Sequence, residues 1–519
     1  MNSTPETTAE LPDDLDALKA LYASETARLR HQVDYLQEQL NRLLHQRFGR
    51  SSEKDTSHQL GLFNEAELEA KGTEESADEP TAEAIEVPAH TRTRGKRVPL
   101  PEHLPRTEIL HDLSEAEKVC PCGCTLTRIR DEQSEQLDIV PARIQVLRHV
   151  YPVYACRECE ETMRQAKVEP QPIPKSNAAP GLLAFIATQK FVDGVPLYRQ
   201  EALFRRIGYE LDRGTSARWM IRLGTDLIPP LLRRFDDTLL EYPVQHLDET
   251  RIQVLKEEGR APESPSYIWV QKGGPPDRPV VRFHYHPTRA HSVPLALLEE
   301  AEGYVQVDGY EAYAVVAGKK PNIRLVGCFA HARRKFKEAV TAQTSSKAGK
   351  AHQGLAYIRK LYAIEKQLRT NNAPPEEVYR VRQEQALPIL EALRTWLDRS
   401  LPEVPPKTLL GKALGYLDGQ WEKLIRYLED GRLDIDNNAA ERAIRPFVIG
   451  RKNWLFADTP QGATASANLY SLIETAKLNG HEPYHYLRHV FTELPKATTL
   501  EQIDALLPWN LDAEKLSGL

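Results

Sequence analysis

Near the start of the chain apolar residues recur every seven positions: Leu15, Tyr22, Leu29, Leu36 and Leu43, with Val33 and Leu40 filling the intervening place. The 4-3-4-3 spacing from Leu29 to Leu43 winds one seam around a helix. It predicts a helix over 15–47 that self-associates as a short coiled coil. A helix packed on its own chain is the alternative, because Lys19 and Thr26 break the early seam. Residues 51–100 lose the pattern, with an acidic, Pro-containing run and then the basic string TRTRGKR at 91–97. They read as a linker, too polar to order around a core. Over 176–235 apolar residues return at helical spacing on both sides of Gly208-Tyr209. This predicts a helix–turn–helix whose second helix lies near Thr215–Leu223; an ordinary helical hairpin has the same pattern.

From 243 the period changes to two. VQHLDETRIQVL, SYIWVQKG and RPVVRFHYH predict three antiparallel strands between Gly/Pro turns. HSVPLALLEEA predicts a short helix, YVQVDGY a buried strand, and IRLVGCFAHARRKFKEAV a strand running into a cationic helix. Residues 345–430 are helical in pattern, with Pro-rich breaks at 374–375 and 402–406. Asp436, Asn437 and Asn438 then start a helix that Pro446 should end. Asn438-x-x-Glu441 has the form of a capping box, and Glu441–Arg445 that of an i,i+4 pair. Three strands, helix, strand, helix-sized segment, strand and helix is the element order of the RNase H-like fold.

The predicted fold class is therefore multidomain α+β: a coiled-coil helix (1–50), a linker (51–100), a small zinc-binding domain (101–172) and a helix-turn-helix-like DNA-binding region (173–240). An RNase H-like catalytic domain with a helical insertion (241–463) and a helical C-terminal tail (464–519) complete it.

A length of 519 residues, 41% hydrophobic and 27% charged, fits several globular domains. No apolar run approaches the ~20 residues that span a bilayer. The acidic start, MNSTPETTAELPDD, lacks an apolar signal core, so a cytoplasmic location is expected. The net charge of −6 at first disfavours nucleic acid. Residues 64–88, however, hold nine acids against Lys71, a net of −8, which leaves +2 elsewhere with the cations clustered.

Five of the six cysteines fall between 120 and 159. Cys156-x2-Cys159 has zinc-knuckle spacing, and Cys120 with Cys124 supplies the other half, Cys122 being an alternative ligand. A closed four-thiolate site implies a structural Zn²⁺. Asp248 on the first strand, Asp308 after the fourth and Glu441 on a late helix would converge at one sheet edge in such a fold. Three carboxylates repel one another unless cations neutralise them, which suits two Mg²⁺ or Mn²⁺ ions. Asp248 is preferred to Glu249, which points to the opposite face. Asp308-Gly309 is also a common hairpin pair, and Glu474 is a rival third acid. Arg213, Arg218, Arg222, His331, Arg333, Arg334, Lys335, Arg442, Arg445, Arg451 and Lys452 are candidate contacts to double-stranded DNA. Trp454 and Phe456 could stack on a base or belong to the core.

HLDET, VDGYEAY, GCFAHARRKF and DNNAAERAIRPFVIGRKNWLFADTPQGA closely resemble the large transposase of the insertion sequence 66 family. RFGRSSEK, CPCGC…CREC and VDGVPLYRQE are similar to that family's upstream regions. The resemblance implies a DDE transposase that binds terminal inverted repeats, cuts transposon ends and joins 3′ ends to target DNA. It implies Asp248, Asp308 and Glu441 as the metal-binding triad, and small accessory proteins of the same element as partners. An inactive, transposase-derived DNA-binding regulator is the competing reading. Chelating zinc should unfold 118–162 and weaken end binding while sparing the catalytic fold. Circular dichroism and gel shift on the full chain check this, with unchanged end binding as the contrary result.

Overall fold

The computed structural model describes residues 15–48, 144–155, 163–342 and 349–517. The cysteines predicted to hold zinc (120, 122, 124, 156 and 159) and the 51–100 linker lie outside them. Helix α1 (Leu15–Phe48) is continuous, as its heptad predicts. Its Leu15, Tyr22, Leu29, Val33, Leu36 and Leu40 are all more than half exposed, so the seam is apolar and open. Strands β1 (Val153–Ala155) and β2 (Met163–Gln165) pair antiparallel on either side of the Cys156–Cys159 segment.

Helices α2 (Pro180–Phe191), α3 (Leu197–Arg206), α4 (Arg213–Arg222) and α5 (Pro229–Leu240) follow. The predicted helix pair is α3 and α4, with Gly208 at φ +87° in the turn between them. The second helix begins at Arg213, two residues earlier than expected, because Asp212 accepts the Thr215 N–H at 2.9 Å and fixes the first turn there.

The five predicted strands form one sheet: β3 (Val244–Gln253), β4 (Pro265–Gly273), β5 (Val280–His286), β6 (Gly303–Gln306) and β7 (Ile323–Val326). Their spatial order is β5-β4-β3-β6-β7. The first three pair antiparallel, whereas β3–β6 and β6–β7 are parallel. Helices α6 (Ser292–Leu297) and α7 (Glu311–Lys319) belong to the core on one face, where Leu247, Trp269, Val305 and Leu325 point. The other face carries Val270, Val281 and Phe283 and shares a single core with α2–α5 and the C-terminal helices.

Helix α8 (Phe329–Thr341) leads into the predicted insertion: α9 (Lys350–Thr370), α10 (Pro375–Val381), α11 (Leu387–Ser400), α12 (Leu409–Gly419) and α13 (Trp421–Ile425). The Pro breaks fall between these helices, as expected. Arg382, 2% exposed, reaches the Glu365 carboxylate with two bonds of 2.9 and 2.8 Å. It also donates to the carbonyls of Tyr427, Asp430 and Leu433. This buried pair clamps the insertion onto the segment that enters the next helix.

That helix, α14 (Asn438–Trp454), does not end at Pro446. Pro446 forfeits one helical bond, a cost of about 3 kcal/mol. Phe447 just beyond it is fully buried against Phe283, Trp454 and Tyr470, and that packing carries the helix two further turns. The predicted capping box is also absent. Asn438 is the first helical residue, and its N–H and side-chain amide donate back to Asp436 at 3.1 and 2.8 Å. Helices α15 (Pro460–Leu478), α16 (Pro483–Glu493), α17 (Leu500–Asp504) and α18 (Ala513–Ser517) complete the predicted helical tail.

Removing one partner of a buried ion pair strands the other charge, at about 3–5 kcal/mol. Glu365→Ala should therefore destabilise the insertion by about that amount, read as a lower urea midpoint, while Glu365→Gln retains part of the loss.

Candidate active site

Register brings the first two acids together. His246 on β3 stands beside Gln306 on the parallel strand β6. Asp248 and Asp308 each lie two residues further on, so both follow the same face past the end of the ladder. Asp308 does not form a hairpin turn with Gly309. Its Oδ1 accepts the Tyr310 N–H at 2.9 Å and so opens α7. A side chain at Gly309 would meet the Tyr416 ring at 2.7 Å, so the glycine lets the insertion approach this turn.

Glu441 arrives through Asn437, which is 1% exposed. The Asn437 side-chain amide donates to the Leu247 carbonyl at 2.7 Å, and its oxygen lies 3.1 Å from His246 Nδ1. With the amide nitrogen donating to Leu247, the oxygen must accept, so His246 carries its proton on Nδ1. The Asn437 backbone N–H donates to the Cys328 thiol sulfur at 3.2 Å. Gln306 fastens the approach to the helix by donating to the Asp436 carbonyl at 2.9 Å and accepting from the Asp434 N–H at 3.1 Å. Tyr362 of the insertion donates to Asp436 at 2.8 Å. One helical turn after Asn437, Glu441 faces the sheet with its side chain 9% exposed.

Two of the three carboxylates, Asp248 and Glu441, are raised. Burial first, then the charges of Glu249, Glu441 and Asp308, pushes Asp248 well above the usual carboxylate range. Burial likewise raises Glu441; Arg334, 3.6 Å from it, offsets part of this, and Asp308 adds to it. Glu441 Oε1 and His331 Nδ1 are both buried, 3.8 Å apart, and neither has a hydrogen-bond partner within the protein. Cys328, His331 and Glu441 offer ligand atoms within 4.8 Å of one another; Asp248, Asp308 and Glu441 do not form so tight a group of three. Concentrated buried negative charge and an orphaned carboxylate oxygen fit a hard divalent cation.

Glu249 points to the opposite face, as its position in the strand requires. There it accepts from Arg289 at 2.6 Å and from the Tyr313 hydroxyl at 2.8 Å. Arg289 stacks 3.7 Å over the Tyr310 ring, and the Tyr310 hydroxyl donates back to the Arg289 carbonyl at 2.8 Å. A lone Arg in a loop gives no sequence signal of this buttress behind Asp308. Cys328 does carry a sequence signal, the Cys328-x2-His331 spacing at a helix start. The rival acid, Glu474, is bound to Lys477 at 2.9 Å on α15 and joins no metal-ligand cluster among the described residues.

Among the candidate cations, Arg334, Arg442 and Lys452 are exposed, and Lys335 is half-buried with its ammonium 4.9 Å above the Tyr416 ring. Arg445 and Arg451 are half-buried, and Arg451 donates to Thr250 on β3 at 3.3 Å. Arg213, Arg218 and Arg222 are exposed on α4. Arg333 is the correction: it is 8% exposed and faces the protein interior, where its charge is felt at Tyr362. It offers DNA no surface. Trp454 is likewise core, edge-on to Phe447 at 5.4 Å with Lys190 above it, whereas Phe456 is 43% exposed. His331 is pushed down to about 4 by burial and by Arg334, so it is neutral at physiological pH.

Because Asp248 and Glu441 are raised, the folded chain holds their protons more tightly than the unfolded one. Their contribution to stability is complete below the unfolded values of 3.8 and 4.5 and is lost as pH rises through the folded ones. A divalent cation offsets that loss. Mg²⁺ or Mn²⁺ should therefore raise the melting temperature more at about pH 8 than at about pH 5. Asp248→Asn should abolish most of that difference in thermal melts.

Sequence comparison gives the family. Residues 175–465 match the family described as "Transposase IS66 family", and 471–509 match the "IS66 C-terminal element". Residues 117–160 match the "zinc-finger binding domain of transposase IS66", which supports a structural zinc. Residues 35–109 match "Transposase C of IS166 homeodomain", overlapping the stretch whose composition reads as a linker. Two uncharacterized proteins of Sinorhizobium fredii, y4jD and y4qI, are 32% and 30% identical. Each match spans 98% of this chain, and 98% and 99% of the respective relative. No solved structure matches the chain. No described helix is long and apolar enough to cross a membrane. Four matched segments in chain order, with full-length relatives, establish that the chain belongs to the IS66 transposase family.

Proposed function

We propose that this chain is a DDE transposase that cleaves the ends of its insertion sequence and joins them to target DNA. The observation that carries the reading is the register that sets Asp248 and Asp308 each two residues beyond the paired His246 and Gln306, with Glu441 one turn after the Asn437–Leu247 bond. These acids come from two adjacent parallel strands and a late helix. The strand order β5-β4-β3-β6-β7, antiparallel on one side of β3 and parallel on the other, supports an RNase H-like reading of the sheet.

Asp248, Asp308 and Glu441 would hold the Mg²⁺ or Mn²⁺ ions. Bound there, the ions would supply activation of the attacking oxygen and stabilisation of the leaving one. The chain's own residues do the rest. Asn437 holds the Glu441 helix against β3, and Arg289 with Tyr310 steadies the Asp308 turn. Neutral His331 and cationic Arg334 stand beside Glu441, where a scissile phosphate would lie. Lys335, Arg442, Arg445, Arg451 and Lys452 would follow the DNA backbone outward, while Arg213, Arg218 and Arg222 on α4 would serve terminal-repeat binding. Cys120 or Cys122, with Cys124, Cys156 and Cys159, would hold the zinc. The open seam of α1 would pair protomers, and small proteins of the same element would join the assembly.

The test is nicking of a duplex carrying the element's own end, with Mg²⁺ and with Mn²⁺. Asp248→Asn should lower cleavage by about 10³-fold or more while the gel-shift complex persists. Binding without cleavage in either metal would favour the regulatory reading instead.

A further inference from the structure

Helix α14 stops at an unusual turn. Leu455 has φ +67° and ψ −52°, and the Phe456 N–H donates to the Trp454 carbonyl at 2.9 Å. This is a γ-turn of the rare, strained, positive-φ form. Among the described residues only Lys175, Asn372 and Leu455 share a positive φ without being glycine, and Leu455 is the apolar one. A bulky side chain there is strained and persists where its surroundings over-determine it. Here the surroundings hold both flanks. Trp454 is packed on Phe447, and Ala457 runs parallel to Val254 at the end of β3, donating to the Gln253 carbonyl at 2.9 Å. Yet both residues presented by the turn remain exposed, Leu455 at 63% and Phe456 at 43%. Strain spent on holding two apolar side chains in water calls for a ligand that takes them.

The rim identifies the ligand's chemistry. Lys452 is exposed one turn before the tip and Arg451 leans on Thr250, while Lys256, just past the end of β3, is paired with Asp458 at 2.8 Å and Arg251 is exposed on the other face of β3. Thr250 is two residues beyond Asp248 on the same face of β3, so the carboxylate site and the apolar tip lie along one strand. The five or six residues from Asp248 to Gln253 and Val254 span about 17–20 Å. At 3.4 Å per step, that is about five or six base pairs of a duplex.

Resting on the transposase reading above, we propose that Leu455 and Phe456 form a wedge that enters the base stack about five or six base pairs from the cleaved phosphate. Apolar side chains inserted at a base step unstack it and kink the duplex, a cost recovered from the cationic contacts the bend permits. A wedge of this kind selects ends whose sequence unstacks easily, so it contributes specificity without hydrogen bonds to base edges.

The experiment uses the full chain on a duplex spanning the boundary of its own element, probed with permanganate and diethyl pyrocarbonate, which modify unstacked thymines and purines. The wild type should produce hyper-reactive bases about four to eight positions from the cut. Leu455→Gly and Phe456→Ser should each reduce that reactivity at least ~5-fold while a gel-shift complex remains. Glycine accepts the turn's φ, so Leu455→Gly should melt no lower than the wild type. A wild-type complex without hyper-reactive bases, variants that keep them, or a marked fall in melting temperature for Leu455→Gly would each overturn the wedge. Failure to form any complex with the end duplex would instead remove the transposase reading, and the wedge with it.

Discussion

One buried amide joins the elements that carry the chemistry. Asn437 bonds to two consecutive residues of β3 through its side chain and to the first residue before α8 through its backbone N–H. Glu441 follows one turn later, Asp248 lies one residue beyond Leu247, and His331 opens α8. Each of these bonds is worth only ~1 kcal/mol net. Together they fix the angle at which α14 meets the sheet, and a fully buried amide with all its partners has no second arrangement of equal energy.

The site they assemble is costly to hold without a cation. Burial raises both Asp248 and Glu441, and the charge of Asp308 adds to each. The surrounding structure restrains this repulsion from both sides. Behind Asp308 the Glu249–Arg289–Tyr310 network holds the loop, and beyond Glu441 the Glu365–Arg382 pair binds the insertion to residues 427–433. The insertion is thus part of the site's support: its Tyr362 reaches Asp436 and its Tyr416 covers Gly309.

The two ends of α14 divide the labour. Its N-terminus, fixed by Asn437, delivers a carboxylate to the sheet. Its C-terminus, fixed by Ala457 on β3, carries an exposed apolar turn. Pro446 lies between them, and the helix crosses it because Phe447 and Gly450 pack into the core of the flanking helices.

Much of this was legible in the sequence, because local periodicity and local chemistry were enough to specify it. Alternating runs predicted the first three strands and short apolar runs the last two, alternation separated Asp248 from Glu249, and the heptad predicted α1. Where two principles competed, the chain alone left the outcome open. Pro446 breaks helices in general, and only the buried ring of Phe447 overrides it. Asn438-x-x-Glu441 satisfies a capping pattern, but a partner 190 residues away in sequence draws Asn437 to Leu247 and shifts the cap to Asp436. Arg333 reads like its neighbour Arg334, and only the packing of α8 turns one inward and the other toward Glu441. The sequence thus determined which groups are present and which elements bear them. Tertiary contacts between distant segments decided which of those groups meet, because burial and register are properties of neighbours that local pattern does not contain.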